Sequence, residues 1–295
     1  MQTPLDAWTN TLNVRNRLWD NIFYDVDSVK DDMNTLFPRG ILSPFAYGEG
    51  EIIVVPPSGA GKIRYYRHTV QFLNERKQDI HAIVVAGVGS SVYGTAALAR
   101  NVADTYDFDV AGIITGYGGS DLLTEAMGGW FVLGMQERAG LRSDLVESHT
   151  ADVKTLMEIL IADPPQLELV VGHSKGSLLI DFVLEQLVEE LEGGTNTLLN
   201  RLKVRTLGAV VSPPKGLNGL NVRQFMGELD SLGNLNSHWG VRYEEVRGAG
   251  HHLNPKPPIP LPNHLNVSEV LSSERGDFPE KPVYSVFNRG WTGRR

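Results

Sequence analysis

The spacing of hydrophobic positions near the N-terminus predicts a helix. Apolar residues from Leu5 to Leu36 recur mostly at steps of three and four. This period is typical of a long amphipathic helix with at most one break, which the Pro-Arg-Gly at 38–40 ends. We expect residues 1–50 to form a helical extension that packs on or covers the core. A homodimer face and a peripheral membrane contact are the alternatives. An excess of Asp over Lys and Arg on the polar side disfavours anionic lipid.

From residue 51 to about residue 272, short apolar runs alternate with helical patterns. Strands are predicted at 51–55, 81–87, 109–116, 167–174, 204–211, 222–229 and 241–248. Helices are predicted at 92–106, across 120–162 and from 177 to 191. Nearly continuous apolar strands separated by helices indicate a parallel sheet with both faces covered. The sequence therefore predicts an α/β core domain over 51–272 and a C-terminal tail over 273–295. The proline-rich stretch 254–262 is expected to wrap the surface.

The overall composition narrows the function classes. The chain has 295 residues, 41% hydrophobic and 21% charged, with a formal net charge of -8. An acidic chain without a basic stripe is not suited to nucleic acid. No apolar run reaches the roughly 18 residues of a membrane span, and the N-terminus lacks a secretory pattern. There is no cysteine, which excludes disulfides and thiolate catalysis. We therefore expect a cytoplasmic protein.

Two glycine-rich stretches depart from the nucleotide-binding motifs that they resemble. PPSGAGK has Pro56 where a P-loop needs glycine and Ile63 where it needs Ser or Thr. GVGSSV has Val92 at the third glycine position of a Rossmann fingerprint. The chain also lacks an H-E-x-x-H motif and clustered Asp and His at metal-ligand spacing. No cofactor and no metal are expected.

The most informative stretch is a strand, a G-x-S-x-G turn and a helix in succession. Residues 168–176 read ELVVGHSKG, and SLLIDFVLEQLVEEL follows. This order predicts a nucleophile elbow, in which Ser174 sits in strained backbone with an exposed hydroxyl. Gly172 and Gly176 fit because side chains there would collide with the adjacent helix or strand. Ser174 is therefore the candidate nucleophile.

A serine needs a base, and the base needs an orienting acid. Two downstream strand ends supply them, in MGELDSLG and EEVRGAGHHLNP. Asp230 is the candidate acid, with a turn or N-cap role as its structural alternative and Glu228 as the fallback. His251 is the candidate base, because Gly250 leaves room for its ring, and His252 is its competitor. The order Ser, Asp, His is that of an α/β-hydrolase triad.

The oxyanion hole is expected to consist of two backbone N–H groups. One is that of Lys175, which follows the nucleophile at the positive end of a helix. The other should come from the loop AGVGSSVYG after the strand at 81–87, where Val88 is the first choice and Gly89 the second. The side chain of Lys175 is expected to lie in solvent, with an anionic substrate group as the alternative partner.

Over residues 81 to 253 the chain resembles the α/β-hydrolase superfamily of serine esterases, lipases and thioesterases. The resemblance rests on AGVGSS, GHSKG, GELDSLG and GAGHHL, in that order. It implies a Ser174–His251–Asp230 triad that hydrolyses a small-molecule carboxylic ester or thioester through an acyl-enzyme. An acyltransferase with the same triad and a non-catalytic binding scaffold are the alternatives.

The chain departs from the superfamily in two places. Ala86-Gly87 stands where many members have His-Gly. No large cap fits between the strand after the elbow helix and the acid strand, so any lid must come from residues 120–148 or from the N-terminal helix.

Overall fold

A computed structural model of the protein describes residues 19–36, 48–87, 90–115, 151–190, 197–212, 220–235 and 237–283. The strands are β1 (Ile52–Val55), β2 (Arg64–Tyr66), β3 (Ala82–Val85), β4 (Val110–Ile113), β5 (Leu169–His173), β6 (Lys203–Leu207), β7 (Asn221–Gly227), β8 (Arg242–Val246) and β9 (Glu280–Pro282). The α-helices are α1 (Lys30–Leu36), α2 (Thr69–Arg76), α3 (Val92–Tyr106), α4 (Ala151–Ile161), α5 (Lys175–Glu190), α6 (Thr197–Arg201), α7 (Ser231–Leu235) and α8 (Val267–Ser272), and a 3₁₀ turn spans Val26–Val29.

In the described ranges, the strands form one mostly parallel sheet. Their order is β2-β1-β4-β3-β5-β6-β7-β8-β9. The strands from β4 to β8 in this order pair in parallel, whereas β1, β2 and β9 pair antiparallel at the two sides. The predicted α/β class with a parallel central sheet is confirmed.

Successive strand residues point to opposite sides of the sheet, so apolar strands present apolar side chains on both faces. Helices cover both of these faces. On β1, Ile53 and Val55 face a layer that contains α3 and α8, while Ile52 and Val54 face a layer that contains α4 and α5. All four strand residues are buried. The all-apolar strands of the sequence therefore form the middle layer between two apolar cores.

The N-terminal pattern folds as three short pieces rather than as one long helix. A helix ends at Phe23, Tyr24 and Asp25 break it, and the 3₁₀ turn leads into α1. Val29 and Met33 are fully buried in the layer that contains α3. The segment from 19 to 36 thus packs against the main sheet domain, while residues 1–18 lie outside the described ranges.

Several predicted strands were too long, and some elements were not predicted at all. The predicted strand 204–211 ends at Leu207, because Gly208 adopts a left-handed φ of 66°. The short strands β2 and β9 and the helix α2 were not predicted. The predicted helix over 120–162 is described only as α4. Residues 254–262 contain no helix and no ladder strand, as expected.

The link between β6 and β7, from Gly208 to Leu220, is too short for a folded cap. The predicted lid region 120–148 lies outside the described residues. Among the helices that the structure describes, none is both long and apolar enough to span a bilayer.

Candidate active site

The predicted elbow is formed where β5 meets α5. Ser174 separates the two elements and has a φ of 52°, a left-handed value that non-glycine residues rarely adopt. A Cβ on Gly172 would lie 2.6 Å from the Ser177 Cα, and one on Gly176 would overlap the Val85 carbonyl. Both glycines are therefore required for the strand and helix to approach so closely, as predicted.

Ser174 lies at the junction with only a small part of its surface accessible. The residue as a whole is 7% exposed, and the exposed hydroxyl stays a prediction. Its N–H donates to the Leu207 carbonyl at 2.8 Å, which ties the elbow to the end of β6. A Cβ on Gly87 would lie 3.2 Å from the Ser174 Cβ, so the glycine loop after β3 passes directly beside the serine.

The structure brings the candidate acid and base together. Asp230 follows β7, His251 follows β8, and the two strands are neighbours in the sheet. The His251 Nδ1 lies 2.9 Å and 2.8 Å from the two carboxylate oxygens of Asp230. The Asp230 side chain is 0% exposed and that of His251 is 10% exposed. The Gly233 N–H also donates to Asp230 at 2.6 Å, so the carboxylate is held from two sides.

The competing residues lie elsewhere. Glu228, the fallback acid, is exposed and accepts a hydrogen bond from the Gly248 N–H at 2.9 Å. His252 is buried, and burial lowers its pKa. The geometry therefore favours Asp230 over Glu228 and His251 over His252 as the acid and base pair.

Gly208 connects the nucleophile to this pair. Its neighbour Leu207 accepts the Ser174 N–H, and a Cβ on Gly208 would lie 3.0 Å from both Nδ1 and Cε1 of His251. Ser174 and His251 therefore flank the same two-residue stretch at the end of β6. The absence of a side chain at residue 208 leaves the space that the imidazole uses.

The oxyanion-hole candidates are only partly described. Lys175 is the first residue of α5, so its N–H belongs to the positive end of that helix. Val88 and Gly89 lie outside the described residues. The neighbouring Gly87 N–H donates to the Tyr24 hydroxyl at 2.7 Å, so this donor is already occupied. The assignment of Lys175, Val88 and Gly89 stays a prediction.

Sequence reasoning missed Tyr24 and the contacts of His173. The Tyr24 hydroxyl lies 2.7 Å from the His173 Nδ1, and the His173 Nε2 lies 3.0 Å from the His251 carbonyl oxygen. Burial, with a smaller effect from the nearby His251, lowers the pKa of His173 to about 3. His173 is therefore neutral. Its place next to Ser174 was the only sequence signal, since Tyr24 lies in a separate helical segment.

Two aromatic rings of the N-terminal segment lie beside the candidate base. The Phe23 ring packs edge-on against His251 with a centroid distance of 5.7 Å, and Trp19 stacks on Phe23 at 5.6 Å. The Leu253 N–H donates to the Phe23 carbonyl at 2.8 Å. The loop that carries His251 is thus fixed to the N-terminal segment.

Asp20, also missed, anchors the glycine loop at the start of α3. Its oxygens accept the Ser91 N–H at 3.1 Å and 3.2 Å, and the Ser90 hydroxyl donates at 3.2 Å. Complete burial raises the pKa of Asp20 to about 7, although these hydrogen bonds act in the opposite direction. The residue therefore holds the far end of the loop that contains Val88 and Gly89.

A nucleophile elbow after β5, with an acid after β7 and a histidine after β8 of a mostly parallel sheet, is the arrangement found in α/β-hydrolases. Within the described ranges, no group of three His, Asp or Glu side chains is placed to hold a metal ion.

Comparison with solved structures finds distant similarities, including the following two. A dienelactone hydrolase-like promiscuous phosphotriesterase from metagenomic libraries has a TM-score of 0.36 and 13% identity, and the match covers 65% of this chain and 81% of that one. The esterase PE8 has a TM-score of 0.35 and 13% identity, covering 60% and 86%. No protein-family model matches the chain, and no curated protein sequence matches it.

Proposed function

We propose that this protein is a serine hydrolase that cleaves a carboxylic ester or thioester through a Ser174–His251–Asp230 triad. The observation that carries the proposal is the His251–Asp230 pair. A histidine whose Nδ1 is bonded to both oxygens of a fully buried carboxylate has its Nε2 free to accept a proton. Residues 207 and 208 lie between this pair and Ser174. Leu207 accepts the Ser174 N–H at the strained elbow, and Gly208 lies against the His251 ring.

The mechanism follows from these positions. His251 takes the proton of Ser174 while the serine oxygen attacks the substrate carbonyl. Asp230 holds the imidazole in the correct tautomer and stabilises the imidazolium. The tetrahedral oxyanion is bound by the Lys175 N–H and by a second N–H from Val88 or Gly89. His251 then protonates the leaving alcohol or thiol, and a water molecule that it activates releases the acid.

The limited exposure of the site suits a small-molecule acyl substrate. Ser174 is 7% exposed, and the Phe23 ring packs on His251, so most of the surface of both residues is covered by protein. Low solvent access strengthens the electrostatic interactions on which oxyanion stabilisation depends.

Labelling with a fluorophosphonate probe tests the proposal. We expect the wild type to be labelled, and Ser174→Ala and His251→Ala to lose labelling, because the probe reacts only with an activated serine. Ser58→Ala and His68→Ala, which change exposed residues of the same types, are the matched controls and should label normally. A folded wild type that does not label would contradict the proposal.

The same preparation separates hydrolysis from acyl transfer. A p-nitrophenyl ester is incubated with and without an added alcohol, and the products are quantified. A hydrolase releases mainly the free acid, whereas an acyltransferase forms mainly the new ester.

A further inference from the structure

We propose that Tyr24 and His173 form a hydrogen-bonded bridge that positions His251 and the glycine loop around Ser174. This inference rests on the proposed hydrolase function, because it concerns the geometry of that reaction. Tyr24 and His173 are positioning residues in this scheme, since neither contacts the bond that is cleaved.

The bridge joins three parts of the chain that are distant in sequence. The Gly87 N–H donates to the Tyr24 hydroxyl at 2.7 Å, and that hydroxyl lies 2.7 Å from the His173 Nδ1. The His173 Nε2 lies 3.0 Å from the His251 carbonyl oxygen. The loop after β3, the elbow and the loop after β8 are therefore linked in one continuous path that starts from the N-terminal segment.

Only one proton arrangement satisfies this path. A carbonyl oxygen can only accept, so the His173 Nε2 must carry the hydrogen and donate it to His251. The neutral His173 Nδ1 is then an acceptor, and the Tyr24 hydroxyl donates to it. The hydroxyl oxygen in turn accepts the Gly87 N–H. Every polar group in the path is satisfied, and the tautomer of His173 is fixed.

The bridge is buried, and its two side chains do not change protonation state near neutral pH. Tyr24 is 3% exposed and His173 is 1% exposed, so a water molecule does not replace a lost partner easily. Burial lowers the pKa of His173 to about 3 and raises that of Tyr24. Both groups therefore stay neutral, which suits a role in holding geometry and not one in moving protons.

The bridge contacts His251 at its backbone, separately from the contact of Asp230 with its ring. Asp230 holds the imidazole through Nδ1, while His173 holds the backbone carbonyl of the same residue. The ring of His173 also lies 5.0 Å from the His251 ring, and Phe23 lies edge-on to that ring at 5.7 Å. These contacts restrict the position of the imidazole. Since triad chemistry is sensitive to displacements of about 1 Å, loss of the bridge should slow the reaction.

The test compares Tyr24→Phe, His173→Phe and the double variant with the wild type. We expect each single variant to lower kcat and the fluorophosphonate labelling rate by about 10- to 100-fold, or about 1.4 to 2.7 kcal/mol, with KM changed by less than about twofold. The double variant should be no slower than the slower single variant, because the two residues act as one path. The pH dependence of labelling should keep its midpoint, since the bridge does not titrate.

Tyr106→Phe is the matched control. It removes another phenol hydroxyl, one that donates to the Leu271 carbonyl at 2.9 Å at the end of α3. We expect it to change stability without changing kcat. Each variant is assayed where circular dichroism shows it fully folded, so that loss of folded protein is not read as loss of catalysis.

Histidine-selective ¹⁵N NMR of the wild type tests the bridge without any substitution. The proposal requires His173 to be the Nε2–H tautomer with Nδ1 accepting, and Tyr24→Phe to shift the Nδ1 resonance. If the wild type is labelled and Tyr24→Phe is labelled equally fast, the positioning role is overturned and the proposed function stays intact. A wild type that does not label would overturn both. The opposite His173 tautomer would overturn the bridge itself.

Discussion

At the scale of single residues, the most demanding position after the triad is Gly208. It combines a φ of 66° with a Cβ site 3.0 Å from the His251 ring. A side chain there has to push the imidazole away from Asp230, because the neighbouring backbone at Leu207 is tied to Ser174. Gly208 thus determines where the base can sit, although it takes no part in the chemistry.

We predict that Gly208→Ala lowers kcat by up to about 10-fold, because the new Cβ displaces the His251 ring by a few tenths of an ångström and a 1 Å displacement costs about 100-fold. Steady-state kinetics on a p-nitrophenyl ester measures it. Gly240→Ala is the matched control: Gly240 has a φ of 82°, but a Cβ there meets nothing within 4 Å. Both variants should lose about 1 kcal/mol of stability from backbone strain. Equal kcat values in the two variants would show that the contact with His251 is unimportant.

The sequence marks the candidate residues that local patterns reveal and does not mark those that act at a distance. Ser174, Asp230 and His251 each follow a predicted strand in a glycine-containing turn, so a short window of sequence was sufficient to propose them. Tyr24 and His173 are 149 positions apart. Nothing in either neighbourhood indicates a hydrogen bond between them, because only the folded sheet brings the N-terminal segment to the elbow.

At the scale of elements, the N-terminus of helix α3 is hydrogen-bonded to a carboxyl group from another part of the chain, that of Asp20. Asp20 accepts the Ser91 N–H, while the Ser91 hydroxyl caps the helix by accepting the Tyr93 N–H at 3.0 Å. The pKa of Asp20 is raised from 3.8 to about 7 by burial. The folded protein therefore binds a proton at this site between these pH values that the unfolded chain has already released.

The stability contributed by this proton is fully present below about pH 4 and is lost as pH rises through about 7. We predict that the free energy of unfolding of the wild type, relative to Asp20→Asn, falls by up to about 4 kcal/mol between pH 4 and pH 8. Urea denaturation at several pH values measures this difference. Asp104→Asn, which changes an exposed carboxylate on α3, controls for the loss of one acidic side chain. A difference that does not vary with pH would refute the assignment.

Element prediction succeeded where burial dictates the pattern. The strands β3, β4 and β5 are mostly apolar, whereas β6, β7 and β8 mix apolar with polar residues. All six were predicted, and α3 was predicted residue for residue. The edge strands β2 and β9 have three residues each and include exposed polar positions, so no apolar run marks them. The sequence allowed one break in the N-terminal helix but did not place it at Tyr24 and Asp25, because the apolar spacing continues across them. In the structure the Tyr24 hydroxyl contacts Gly87 and His173.

At the scale of the whole molecule, the segment from 19 to 36 belongs to the same end of the sheet as the candidate site. Met33 is fully buried in the core layer that contains α3 and anchors α1 there. Arg100 of α3 adds an ion pair to Asp32 at 2.6 Å. Weakening this anchor should release Phe23 and Tyr24 from the site before the sheet unfolds.

We predict that Met33→Ala lowers the free energy of unfolding of the segment by about 2 to 5 kcal/mol. Probe labelling should then be lost at a lower urea concentration than the far-ultraviolet circular dichroism signal. Phe72→Ala is the control, because Phe72 is equally buried but belongs to the opposite core layer. Its two transitions should coincide. Coincident transitions in Met33→Ala would show that the segment does not open independently.

The path from Tyr24 to His251 also orders events during synthesis. Tyr24 leaves the ribosome before its partners, because His173 follows 149 residues later and the loop of His251 a further 78 residues on. The Tyr24 hydroxyl therefore waits for His173 through this part of translation, a period in which exposed apolar groups of the nascent chain are open to chaperones. The candidate site is complete only after β8 and the loop of His251 have been made.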